Sequence, residues 1–198
     1  ICTMDCGEYN NIHPVDKRTP GERLGNCALR QVYGMSRIPV YGPTVLGFRC
    51  DEGGRVRLFF RYAHGLHFSG TTPDSFGDEF AKSLPSLVRL PERSGFELAG
   101  ADGVFHPAYA AIFVDCDIDD LVNAKVNVVD YNATEFGIPI NSRSIGTITL
   151  ATPEVPAPVM MRYAWRSWGP APLFNDNNLP AHPFKLDLTD HTDSDHAE

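Results

Sequence analysis

The stretch Asp51-Glu52-Gly53-Gly54-Arg55-Val56-Arg57-Leu58-Phe59-Phe60-Arg61-Tyr62 joins a turn signal to a β-type run. The acidic residue and paired glycines suit a tight reversal, and the β-branched and aromatic residues that follow suit a pleated, half-buried surface. The same grammar recurs along the chain. Runs at 56–62, 95–98, 109–114, 124–129, 146–150 and 158–165 are separated by Gly, Pro, Asn and Asp, with a second reversal at Asp102-Gly103. Short strands at this spacing predict a mainly β fold, a sandwich (jelly-roll-like) or barrel, and not alternating βαβ units. Upstream, Thr19 to Gly34 reads as a helix: Thr19 can cap it, Pro20 suits its first turn, Leu24, Cys27, Ala28 and Val32 recur at helical spacing, and Gly34 ends it.

A chain of 198 residues can bury one substantial core. The composition, 42% hydrophobic and 21% charged, is that of a globular protein, and no window offers the roughly 20 apolar residues of a membrane span. The formal net charge of -8 opposes nucleic acid and anionic lipid as partners, which require a basic surface. Part of that charge sits at 187–198, where acids and the histidines His191 and His196 stand among small polar residues; this reads as an acidic solvated tail. No internal repeat or low-complexity linker divides the chain, and a boundary is expected at 34–43.

Cys2, Cys6, Cys27, Cys50 and Cys116 lack the paired spacing of a zinc site, so no metal is expected, and disulfides or free buried thiols both remain open. Asn132-Ala133-Thr134 is an N-glycosylation sequon; it fits a secretory-pathway protein, secreted or lysosomal, with at least one disulfide. No signal peptide stands at the start, and Ile1 reads as a cut point.

Chemistry is concentrated in Asp5-Cys6-Gly7-Glu8-Tyr9-Asn10-Asn11-Ile12-His13-Pro14, expected to be a loop ahead of the helix. A histidine on such a loop can accept a proton from a serine hydroxyl near neutral pH and return it to a leaving alcohol. Farther on, Arg162, Tyr163 and Trp165 alternate as in a strand and are weighed as a sugar-facing set against plain packing. Trp168, Pro170 and Pro172 begin an extended strap anchored by Leu179 and Phe184. His64, His67 and His106 are spread over different elements, and Lys17, Arg18 and Arg23 flank the histidine loop as a cationic face.

Thr3-Met4-Asp5-Cys6-Gly7-Glu8, Ile12-His13-Pro14, Asp16-Lys17, Gly21-Glu22-Arg23-Leu24 and Tyr33-Gly34 together resemble the last block of the sialate O-acetylesterase family, which are carbohydrate esterases of the SGNH-hydrolase type. Met161-Arg162-Tyr163-Ala164-Trp165 and Leu179-Pro180-Ala181-His182-Pro183-Phe184 resemble that family's terminal signature. Gly42-Pro43, the stretch 95–103 and Phe105-His106-Pro107-Ala108 are similar to family segments in the same order.

The resemblance implies a C-terminal half: 1–36 as the last loop and helix of an α/β SGNH-hydrolase domain, 37–168 as a β-sandwich accessory domain, 169–187 as the strap and 188–198 as the tail. It implies a serine esterase removing O-acetyl groups from sialic acids without a cofactor, with His13 as general base. Glu8, or less directly Asp5, would be the acid that orients it, with capping of the loop's backbone amides as the equal alternative for Glu8; a backbone carbonyl is the other option for the ring. The usual Asp positions two and three residues before the histidine hold Asn11 and Asn10, amides that can hydrogen-bond the ring but not stabilise an imidazolium as a carboxylate does. The nucleophilic serine and its oxyanion donors lie in the family's N-terminal half, so the implied partners are that half and an O-acetylated sugar. An esterase for acetylated xylan or another glycan, and a non-catalytic glycan-binding module, are the alternatives.

Overall fold

The computed structural model describes residues 1–69, 88–113, 127–128 and 145–189. Cys116, the Asn132 sequon, His191, His196 and most of the run at 124–129 lie outside the described residues.

Helix α1 runs Arg18–Gln31. Its first turn is capped by Asp16, whose Oδ1 accepts the Thr19 N–H at 3.0 Å, so the capping group sits three residues ahead of the Thr19 expected in that role. Asp16 is held below the ordinary carboxylate range, first by hydrogen bonding with the Thr19 side chain and then by this backbone bond. Gly34, at φ 71°, ends the helical segment, and the Met35 N–H closes back on Leu29 O at 3.0 Å.

The rest is antiparallel sheet. One sheet has six strands in the order β4 (Val88–Arg89), β7 (Tyr109–Phe113), β9 (Gly146–Ala151), β2 (Arg55–Arg61), β1 (Thr44–Asp51) and β8 (Asn127–Val128). A second has four: β12 (Phe184–Asp187), β10 (Met160–Tyr163), β5 (Phe96–Ala99) and β6 (Phe105–Pro107). A two-stranded pair joins β3 (His67–Phe68) to β11 (Leu173–Phe174), and a single helical turn, α2 (Pro91–Ser94), precedes β5. The fold is mainly β, as the turn-and-run pattern predicts. Both expected reversals form: Glu52 to Gly54 turn β1 into β2, and Asp102-Gly103 turn β5 into β6.

The two larger sheets share one core. Val56, Leu58 and Phe60 alternate along β2 into the same cluster as Leu98 of β5, Met161 and Tyr163 of β10 and Leu186 of β12. Fully buried aliphatic and aromatic side chains of this kind stabilise by about 1.5–3 kcal/mol each. Phe184 closes the cluster's edge, with ring centroids 5.6 Å from Tyr163 and 6.0 Å from Phe60.

The strap is more than an extended anchor: its end becomes strand β12, paired with β10 from Met160↔Asp187 to Tyr163↔Phe184. Its middle is fixed by the buried Asn175. The Asn175 amide donates to Tyr41 O and Tyr62 O, each at 3.0 Å, and its carbonyl accepts the N–H groups of Asn177 and Leu179, each at 3.1 Å. All four hydrogen-bonding positions of a carboxamide are thus filled. Gly42 completes the joint, because a Cβ there would stand 2.0 Å from Pro180 O.

Candidate active site

The histidine loop is locked by Glu8. Its Oε1 accepts the Val15 N–H at 2.7 Å and its Oε2 accepts the Asn11 side-chain N–H at 2.9 Å. Asn11 in turn accepts the His13 N–H on its Oδ1 at 2.9 Å. These bonds, the Val15 N–H first, hold the Glu8 carboxyl below its ordinary range. The backbone from Asn11 to Val15 is therefore fixed from both sides of His13, while the His13 side chain stands exposed. Both oxygens of Glu8 accept from the loop itself, and among the described residues none hydrogen-bonds the imidazole.

Asp5 is committed elsewhere. It forms a two-pronged pair with Arg23 of α1, both N···O distances being 2.7 Å. Arg23 also donates to Cys2 O at 2.7 Å and Asn178 O at 3.3 Å, so one guanidinium joins the first residues, the helix and the strap. The Cys2 thiol lies 3.5 Å from Ala181 O, and burial pushes it above its ordinary range. Trp168 packs over Gly7 and meets Tyr9 edge-on at 5.5 Å, which ties the histidine loop to the segment after β10. No disulfide is seen among the described cysteines Cys2, Cys6, Cys27 and Cys50, so they do not supply the one expected of a secreted chain.

One face of this region is bare. No residue of α1 is buried, and Tyr9, Ile12, Val15, Leu24, Val32 and Tyr33 are exposed, Ile12 to 91%. An amphipathic helix normally sinks its apolar stripe into a core, and short helices in water are marginal without such packing.

The triple singled out near β10 separates by role. Tyr163 is core: its Oη accepts the Leu173 N–H at 2.9 Å, and burial pushes the phenol far above its ordinary range. Arg162 donates through Nε to Glu97 Oε2 at 2.7 Å across the β10–β5 register and covers the Phe105 ring at 4.0 Å. Arg166 donates to the other Glu97 oxygen. Burial alone would raise the Glu97 carboxyl, but the hydrogen bonds and charges of Arg162 and Arg166 outweigh it and hold it below the ordinary range. Trp165 is 52% exposed. Glu97 and Arg166 were not singled out from sequence, because neither residue's position in the chain shows that it meets Arg162.

The remaining candidates do not converge. His64 pairs with Asp176 at 2.5 Å, and His67 Nδ1 lies 2.9 Å from Gly65 O. Arg18 pairs with Glu22 at 2.6 Å. Among the described residues no three His, Cys, Asp or Glu side chains form a group able to hold a metal ion.

No protein-family model and no curated protein matches the chain. Among solved structures it is similar to a carbohydrate acetylesterase from Xanthomonas citri, with a TM-score of 0.57 and 25% sequence identity over 92% of this chain. The chain spans 31% of the length of that protein. The relationship this supports is to a carbohydrate esterase, without singling out those that act on sialic acids.

Proposed function

We propose that this chain is the histidine-bearing part of a carbohydrate acetylesterase, completed by a part that carries the nucleophilic serine and the oxyanion donors. The observation that carries the reading is the exposed His13, on a loop locked by Glu8, beside an apolar helical face that no described residue covers. A body packed on α1 would bury Leu24, Val32 and Tyr33 and bring a serine to the imidazole. The likeness to a carbohydrate acetylesterase three times as long supports the same division.

In that assembly His13 takes the serine proton as the serine oxygen adds to the acetyl carbonyl. The imidazolium then gives that proton to the departing sugar oxygen. Water, deprotonated by the same ring, attacks the acetyl-enzyme, acetate leaves, and the proton returns to the serine. Glu8 acts as a positioning residue, holding the loop while another group accepts from the ring. The end motifs favour O-acetylated sialic acid as substrate, with acetylated xylan as the competing one.

The test is ester cleavage by the full-length protein. His13→Ala is expected to lower turnover of both p-nitrophenyl acetate and the acetylated sugar by about 10³-fold. Unchanged turnover in that variant would remove His13 from the chemistry. Comparing release of acetate from 9-O-acetylated sialic acid and from acetylated xylan separates the two substrates.

A further inference from the structure

The segment that follows β10 leaves the sheet abruptly. Ala164 takes a left-handed backbone, φ 48°, and is held there by its N–H bond to Gly95 O at 2.8 Å. Gly95 faces it at φ 73°, where an added Cβ would stand 2.6 Å from Pro170 O. A side-chain-bearing residue in this conformation persists only where its surroundings enforce it, and such positions gather at ligand sites. The effect here is to turn Trp165 out of the sandwich to the rim of a cleft of about 150 Å³, walled by Phe96, Glu97, Pro107, Arg166 and Pro170.

The cleft combines three features. Trp165 offers an exposed indole on the rim, and aromatic faces stack on the C–H faces of sugar rings. Glu97, 5% exposed, presents a buried carboxylate in the wall. Both its oxygens accept from arginines, yet a carboxylate oxygen retains a further lone pair for a hydroxyl. Arg166, with its side chain 54% exposed, offers guanidinium N–H groups at the mouth beyond the one given to Glu97. The charges cancel: Arg162 and Arg166 are both engaged by Glu97, and Glu92 adds a second carboxylate to the lining. Among the described residues of the cleft the formal charges balance, so a carboxylated sugar gains no net positive field there, whereas hydroxyl groups find both donors and acceptors. The volume suits one ring, well below the roughly 300–1,000 Å³ of sites for larger ligands.

We propose that this cleft is a subsite that seats one neutral pyranose ring of the glycan against the Trp165 indole, with Glu97 and Arg166 directing its hydroxyls. The assignment rests on the carbohydrate acetylesterase reading and names which kind of ring the chain itself grips. Trp168, three residues after Trp165 and packed on Gly7, fixes this segment to the histidine loop.

The test is calorimetric titration of the full-length protein with non-acetylated xylotriose, lactose and N-acetylneuraminic acid. Xylotriose or lactose is expected to bind, Trp165→Ala to weaken that binding by about tenfold or more, and Trp165→Tyr to stay within about threefold. Circular dichroism and an unchanged thermal midpoint confirm that Trp165→Ala is folded. Equal affinity in Trp165→Ala, no binding by either neutral sugar, or binding of N-acetylneuraminic acid alone would each overturn the proposal. Binding of a non-acetylated sugar needs no turnover, so failure of ester cleavage would strike the catalytic reading and leave this measurement standing.

Discussion

Replacing Glu97 with Gln tests the ion-pair cluster behind the cleft in a way that contact geometry fixes in advance. The Glu97 side chain is 6% exposed, and those of its partners Arg162 and Arg166 are 23% and 54% exposed. Removing one member of a buried ion pair costs about 3–5 kcal/mol. Arg166 is screened by solvent, which reduces its share, and glutamine keeps one oxygen that can still accept from Arg162. The expected loss at pH 7 is therefore about 2 kcal/mol, a fall in Tm of about 4–8 °C for a chain of this size.

The pH dependence follows from the direction of the shift. The folded carboxyl lies below its ordinary range, with burial opposed and outweighed by the two arginines, while the unfolded chain titrates near about 4.3. The cluster's stabilisation is thus complete above that unfolded value and drains away as pH falls through the lower folded one. Urea midpoints of the native protein and Glu97→Gln should be well separated from pH 7 to 5 and converge below about pH 4. Glu92→Gln, on the exposed rim, should stay within about 0.5 kcal/mol throughout. A separation that is absent at pH 7, or that does not shrink in acid, would refute the assignment of Glu97 as a charge held by its arginines.

Three further outcomes are expected. Tyr163→Phe removes the acceptor of the Leu173 N–H in the core and should cost about 1–3 kcal/mol in urea unfolding, with no new cavity to account for it. Asn175→Ala strips four hydrogen bonds from the buried joint of Tyr41, Tyr62 and the strap; a loss of about 3 kcal/mol is expected, and hydrogen exchange at Asn177 and Leu179 should accelerate. Gly42→Ala drives a methyl into the Pro180 carbonyl and should lower the thermal midpoint more than any exposed substitution, which scanning calorimetry would read directly.

The sequence carried its β character in local pairs of turn and run, and the runs at β2, β5, β7, β9 and β10 lie where the pattern places them, while the three-residue β6 carried no run of its own. Strand β1 was not legible for a physical reason: its register shifts between Val45 and Gly47, and that irregularity breaks the period-two alternation by which strands are read. Strand β12 was hidden behind prolines and read as part of the strap, because its status depends on β10 being alongside. The histidine loop was legible as a unit, and so was Glu8 as a cap of its backbone amides, one of the two roles weighed for it; the partner of Asp5 was not. Glu8 turns inward to Asn11 and Val15, and Asp5 faces Arg23, choices that depend on how the loop closes on itself and on a helix. The partnership of Glu97 with Arg162 and Arg166 lies across a strand pairing, and no spacing along the chain announces it.

The guanidinium of Arg23 has a consequence for control. It clasps the first residues to the Asn178 turn, and with Cys2 against Ala181 and Trp168 on Gly7 it makes the histidine loop travel with the sandwich. If the serine rides on a separate body, the distance between base and nucleophile becomes a gauge of how the two bodies are seated. In the proposed esterase this coupling would act as a mechanical interlock: a slip of the sandwich by about an ångström would misplace His13 and disarm the hydrolysis without altering a single catalytic atom.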